Sequence, residues 1–234
     1  MYPREATELD EASVIPEGVT WIQDAVTEFL PEENTVITKE GKRIGYDHLI
    51  VAPGIQLDWH EVKGLPEAIG HDSVCSNYAY EYVNSTWEDI QQFTGGNAIF
   101  TQPNTPIKCG GAPQKIAYLA EDYFRKSGVR DNATVSFISG MGGIFSVKKY
   151  ADALNTVLRR KGMEAHHKHH LVEIRAERKE EVFQSLDTQE EAIFPYDMIH
   201  VTPPMSAPDF IEHGPLANEA GWVDVAAHAL FEHL

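Results

Sequence analysis

The 234-residue chain reads as an α/β protein: a Rossmann-like parallel sheet with flanking helices, accompanied by an antiparallel β-meander. Two observations carry that expectation. From residue 80 onward, amphipathic stretches alternate with short apolar runs, the order that builds a right-handed β–α–β sheet. Ahead of them, residues 19–46 hold short strand-like runs separated by turn residues.

In order, residues 19–29 mix β-branched and aromatic side chains with polar ones, residues 35–38 follow a Pro-Glu-Glu-Asn turn, and residues 43–46 follow a hairpin turn. Residues 48–52 form an apolar run stopped by Pro53 and Gly54, the pattern of a buried strand, and turn-rich residues 55–75 read as a connecting loop. Val83, Trp87 and Ile90 at i, i+4, i+7 predict a helix over 80–93, and residues 97–101 a strand. Ile116, Leu119, Ala120, Tyr123 and Phe124 give the apolar stripe of a helix over 112–127. A strand over 134–139 follows, then a helix marked by Val147, Tyr150, Ala151, Leu154, Val157 and Leu158 and stopped at Gly162. Three further strands are expected around 171–174, 182–186 and 198–202, the last closed by Pro203 and Pro204.

Bulk composition excludes several classes. With 19 Lys+Arg against 36 Asp+Glu the net charge is −17, which disfavours nucleic acid and leaves no polybasic patch for anionic lipid. No apolar run approaches the roughly 20 residues that cross a bilayer, and the acidic first residues read as neither a signal peptide nor a basic transit peptide. Two cysteines, Cys75 and Cys109, are too few for a disulfide scaffold. The run His166-His-Lys-His-His170 adjoins a strand start, where alternate residues face opposite ways, so no metal site is expected there.

The β–loop–α unit around 97–127 is the natural ligand site, because such sheets bind ligands outside the carboxyl ends of their strands. It does not read as a nicotinamide site. A dinucleotide turn needs glycines in the order G-x-G-x-x-G, whereas the segment from Gln102 to Pro113 carries three prolines in a long, stiff loop. The second strand ends Ser139-Gly-Met-Gly-Gly143 with no acid for a ribose, and Phe145 takes the third glycine position. Cys109 precedes the helix, flanked by Lys108 and Lys115, surroundings that favour a reactive thiolate. Gly110 and Gly111 let a ligand approach the backbone. The residues alone leave two readings open, a reactive cysteine or a buried inert one.

The string Phe100-Thr-Gln-Pro-Asn-Thr-Pro-Ile-Lys-Cys-Gly-Gly-Ala-Pro-Gln-Lys115 resembles the motif of sulfide:quinone oxidoreductases of the mitochondrial type and their bacterial relatives, within the FAD-dependent pyridine nucleotide-disulfide oxidoreductase superfamily. The likeness runs on through Ser13-Val-Ile-Pro, Tyr46-Asp-His-Leu-Ile-Val-Ala-Pro-Gly-Ile-Gln56 and Ile144-Phe-Ser-Val-Lys-Lys-Tyr-Ala-Asp-Ala-Leu154. His200-Val-Thr-Pro-Pro-Met-Ser206 and Ala220-Gly-Trp-Val-Asp224 continue it.

This resemblance implies FAD as cofactor, with sulfide and quinone as substrates. Cys109 becomes the catalytic cysteine that holds a persulfide and engages the flavin, one of a pair whose partner is not in this chain. Val26 takes the position that meets the FAD adenine, and Ala52, Pro53 and Gly54 return the chain past the cofactor; Lys108 and Gly110 flank the cysteine as cofactor-binding positions. For Cys75 the family leaves both a third redox cysteine and a structural thiol open. Residues 1–56 and 221–234 are then incomplete pieces of a split FAD-binding domain, 57–74 a linker, 75–205 the Rossmann-like domain with the redox cysteine, and 206–220 a return loop.

The family's Gly-rich pyrophosphate turn and its membrane-associating C-terminal helices have no counterpart here. The expectation is a soluble fragment, inactive alone, from an enzyme at the periphery of a bacterial cytoplasmic membrane or at the mitochondrial inner membrane. Membrane association would come only through that C-terminal region. The alternatives are a related NADH:quinone-type flavin dehydrogenase, disfavoured by the Cys109 loop, and a non-catalytic α/β binding module without FAD.

Overall fold

The computed structural model describes residues 3–225. Residues 226–234, part of the 221–234 piece expected for the flavin domain, lie outside the described residues. The chain forms two compact units, residues 1–56 with 206–234, and residues 57–205.

In the first unit β1 (Val26–Leu30), β2 (Thr35–Thr38) and β3 (Arg43–Gly45) form an antiparallel meander with a register shift between Val26 and Glu28. Phe29 and Val36 are buried against Ala207, Ile211 and Leu216, and Phe29 stacks on Phe210 at 5.8 Å. The apolar run 48–52, expected as a buried strand, is not one: Ile50 is 88 % exposed and the segment has no ladder. A strand needs a neighbour to pair its backbone, and the β1–β2–β3 meander is complete without it.

The chain enters the second unit at β4 (Gln56–Leu57). Residues 57–74, expected as a linker, instead belong to that unit's core. Leu65 and Ala68 of the short helix α1 (Leu65–Ala68) are buried beside Val62 and Ile69. The Lys63 N–H donates to the Val172 carbonyl at 3.0 Å, and the Ile174 N–H donates to the Lys63 carbonyl at 2.8 Å. Gly64 is what lets the chain lie so close: at its φ of +76° a Cβ would sit 2.3 Å from the Ile174 oxygen. Turn-rich composition reported the bends correctly and missed the apolar residues between them.

The centre of this unit is a five-stranded, all-parallel sheet. Its strands are β5 (Val74–Cys75), β6 (Gly96–Gln102), β7 (Ala133–Ser139), β8 (Glu164–His167) and β12 (Met198–His200), in the spatial order β5-β12-β6-β7-β8. Helices α2 (Val83–Gln92), α3 (Ala112–Ser127) and α4 (Lys148–Lys161) supply the crossovers. Period-2 alternation divides the two faces. Ala98, Phe100, Val135, Phe137 and Met198 face the helices, with Phe124 and Ile116 of α3, while Ile99, Ile138 and Ile199 face the other way. There they meet the antiparallel strands β9 (His169–Arg175), β10 (Glu180–Ser185) and β11 (Glu191–Pro195), through Leu171, Ile174 and Phe183. Strands β8 and β11 were not expected from the sequence. The chain leaves the unit at β13 (Met205–Ser206), and residues 209–212 of the expected return loop form a short helix with Ile211 buried.

Both long helices end as their composition dictates, α3 at Gly128 and α4 at Gly162, each a left-handed cap whose N–H bonds back into the last turn. Glu121 of α3, fully buried, fastens the helix to the turn and to α4. Lys161 contacts it at 2.5 Å, Arg125 bonds it, and Arg130 lies at 3.4 Å. Burial alone would raise its pKa; hydrogen bonds from Lys161 and Arg125, with their charges, hold it below the usual carboxylate value.

Candidate functional site

The site is built where β6 ends and α3 begins. Residues 103–111 form the loop between them, and its prolines leave few backbone donors to satisfy. Three contacts fix its course. The Thr105 hydroxyl accepts the Met205 N–H at 3.1 Å, the Lys108 N–H points at the Met205 sulfur at 3.3 Å, and Asn104 packs against Gly140. A Cβ at Gly140 would lie 2.6 Å from the Asn104 nitrogen. The loop therefore lies against the turn after β7.

Cys109 sits at the end of this loop with φ of +61°, the left-handed region uncommon for a non-glycine residue. Its carbonyl accepts the Ala112 N–H at 2.9 Å, which starts α3, and no side chain caps the helix. The thiol is free and exposed. It opens onto a cleft of about 360 Å³ lined by Asn77, Tyr78, Lys108, Lys115, Leu119 and His200, among others. Lys108 and Lys115 are cationic and no lining residue is acidic, so the cleft favours an anion. Burial pushes the Tyr78 hydroxyl up to about 12, and burial holds the His200 imidazole down to about 4, so both are neutral at physiological pH.

Cys75 ends β5 at 0 % exposure, its Sγ 3.5 Å from the Ile199 carbonyl. Burial pushes its thiol well above the ordinary range. The two cysteines are both free. Of the residues singled out from sequence, Lys108, Cys109 and Gly110 share one loop of the second unit. Val26, half-buried at the β1 bulge, and Ala52, Pro53 and Gly54, exposed in a strandless segment, belong to the first.

Asn77, Tyr78 and His200 were missed by sequence reasoning. Only the insertion of β12 between β5 and β6 brings His200 beside the cleft, and no local pattern announces that. Leu119 was expected in the core stripe of α3; it is 54 % exposed at the cleft, because the buried stripe runs through Ile116, Ala117, Ala120 and Phe124. A large apolar residue at a half-expected position was the available signal. Trp59 lies edge-on to Tyr82 at 5.7 Å. Among the described residues no group of His, Cys, Asp or Glu is arranged to hold a metal ion, and no helix is long and apolar enough to cross a membrane.

Solved structures share this fold. The sulfide:quinone oxidoreductase of Aquifex aeolicus superposes with a TM-score of 0.71 at 18 % identity, over 85 % of this chain and 46 % of that one. Sequence narrows the class. The mitochondrial sulfide:quinone oxidoreductase of Mus musculus is 52 % identical over 219 residues, 93 % of this chain and 49 % of that protein. That of Dictyostelium discoideum is 46 % identical over 227 residues, 96 % of this chain and 50 % of that protein. No protein-family model matches the chain. The chain spans about half the length of the curated relatives it matches, and is similar to that half of the mitochondrial sulfide:quinone oxidoreductases.

Proposed function

We propose that this chain carries the sulfur-accepting cysteine of an FAD-dependent sulfide:quinone oxidoreductase, with Cys109 as the residue that becomes a persulfide. The observation that supports it most is the exposed Cys109 thiol in a cleft whose charged groups are both cationic. Hydrosulfide is an anion at neutral pH, and Lys108 and Lys115 draw it in. In the proposed step hydrosulfide attacks the Cys109 sulfur of a disulfide to a second cysteine outside these residues. The new S–S bond forms as the old one breaks, and the second cysteine leaves as a thiolate. Cys109 holds the resulting persulfide, whose charge Lys108 stabilises.

The residues present suit a flavin. A Cβ at Gly110, Gly111 or Gly54 would meet nothing within 4 Å, so a flat ring can lie against the backbone there. By the resemblance, Lys108 and Gly110 are the cofactor-binding positions of the second unit, and Val26, Ala52, Pro53 and Gly54 those of the first. FAD, when bound, supplies the two-electron acceptor that passes electrons to quinone. By kinship with mitochondrial proteins, the enzyme works at the mitochondrial inner membrane.

The test is Cys109→Ser in a full-length enzyme containing this segment. The expected result is loss of sulfide-dependent quinone reduction by at least about a hundredfold, as for removal of a covalent nucleophile. Retained turnover would sink the assignment.

A further inference from the structure

We infer that His200 is a positioning residue for the Cys109 cleft: it holds the Asn77–Tyr78 segment, and through it Lys108, in place beside the cysteine. The inference deepens the sulfide-oxidising role proposed above and rests on it.

The contacts form a short chain. His200 is fully buried at the end of β12 on the helix-facing side of the sheet, and its ring stacks on Phe100 at 6.1 Å. The parallel register sets His200 directly beside Phe100, so the ring's plane is fixed by its neighbour strand. Its Nε2 accepts the Asn77 N–H at 3.0 Å. The next residue supplies the link onward: the Tyr78 carbonyl accepts Lys108 Nζ at 3.5 Å, and the ammonium lies 6.0 Å from the Tyr78 ring centroid. The segment has a second anchor, since the Tyr78 N–H donates to Ser76 Oγ at 3.2 Å, and that hydroxyl donates to the Val201 carbonyl at 2.7 Å.

This arrangement sets the tautomer. Nε2 must carry the lone pair, so the ring proton lies on Nδ1, and protonation of Nε2 would break the bond to Asn77. A neutral imidazole is what burial at this position enforces. The titratable groups around the cleft are Tyr78, Lys108, Cys109 and Lys115, with His200 as the buried member. An ammonium on a flexible stem loses its preferred place when the wall it rests on moves, and a sulfur anion nearby then loses its stabilising charge.

The experiment follows alkylation of Cys109 by iodoacetamide against pH in the purified chain, with uptake of sulfur from inorganic polysulfide read separately by intact mass. His200→Phe should slow alkylation about three- to fivefold at neutral pH, with rates converging at high pH where every thiol is ionised. His200→Gln, whose Oε1 can accept the Asn77 N–H, should restore most of the rate. Lys108→Met should reproduce the loss without His200 being touched. A slowing that persists at high pH, or no slowing at all, overturns the inference. Alkylation unchanged while polysulfide still charges Cys109 leaves the proposed function standing; alkylation altered as expected with no sulfur taken up condemns that function instead. Should His200→Phe not fold, the histidine ring ¹⁵N spectrum of the unaltered chain decides: an unprotonated Nε2 supports the inference, and a protonated one overturns it.

Discussion

Cys75 and Cys109 belong to the same unit, and the fold treats them in opposite ways. Cys75 closes strand β5 inside the parallel sheet, fully buried with its Sγ toward the Ile199 carbonyl, and burial pushes its thiol well up. Cys109 stands past the end of β6, on a loop held by Thr105, Lys108 and Met205, exposed and beside two lysines. A strand interior silences a thiol by desolvation. The loop beyond a strand's carboxyl end presents one to solvent and to a ligand, which is where parallel sheets place their chemistry.

The comparison can be broken hardest from the Cys109 side, through the helix that carries it. Glu121→Ala leaves Lys161 and Arg130, 20 % and 15 % exposed, without their shared carboxylate. The expected loss is about 3–5 kcal/mol, read by chemical denaturation. Because the Glu121 pKa is lowered on folding, its stabilisation is present above the ordinary value of 4.5 and is lost as pH falls through the lower folded value. The variant and parent should therefore converge in acid.

Exchanging each thiol for a hydroxyl sharpens the contrast. Cys75→Ser buries a hydroxyl in apolar surroundings and should cost about 1–3 kcal/mol with Cys109 reactivity unchanged. Cys109→Ser should stay within about 0.5 kcal/mol of the parent, because it lies on the surface. Equal costs at the two positions would contradict the structural contrast.

Glu181 provides a third buried group for comparison. Both its oxygens lack hydrogen-bond partners, and desolvation raises its pKa well above 4.5. The sign is opposite to that of Glu121. Stability from the protonated form is complete below the ordinary pKa and is lost as pH rises through the folded one. Glu181→Met should therefore gain on the order of 1 kcal/mol at neutral pH and less in acid, measured by thermal unfolding across that range.

How far these regions were legible in the sequence follows from which forces are local. The apolar stripe of α3, its Pro113 start and its Gly128 stop are all local signals, and the expected bounds of 112–127 match the observed helix. The Cys109 loop was legible because its prolines and missing glycines exclude a tight dinucleotide turn. Strand β8 spans only four residues and reads as part of the histidine run, so its pairing with β7 had no separate signature. The run at 48–52 carried a strand's composition without a strand's partner. His200 was beyond reach, since its place depends on a strand order that crosses the sheet. Residues 57–74 show the same limit: Gly64 and Leu65 gain their meaning only from β9, far along the chain.

The most direct test of the account is to expose the purified chain to inorganic tetrasulfide and weigh it intact, then map the modified peptide. Thiolate attack on a sulfane sulfur forms a new S–S bond on the cysteine and releases trisulfide, so each reactive thiol gains one sulfur atom. The account predicts one added sulfur, on Cys109, absent in Cys109→Ser and unaffected by Cys75→Ser. Sulfur on Cys75 in the folded chain, or none on Cys109, would contradict it.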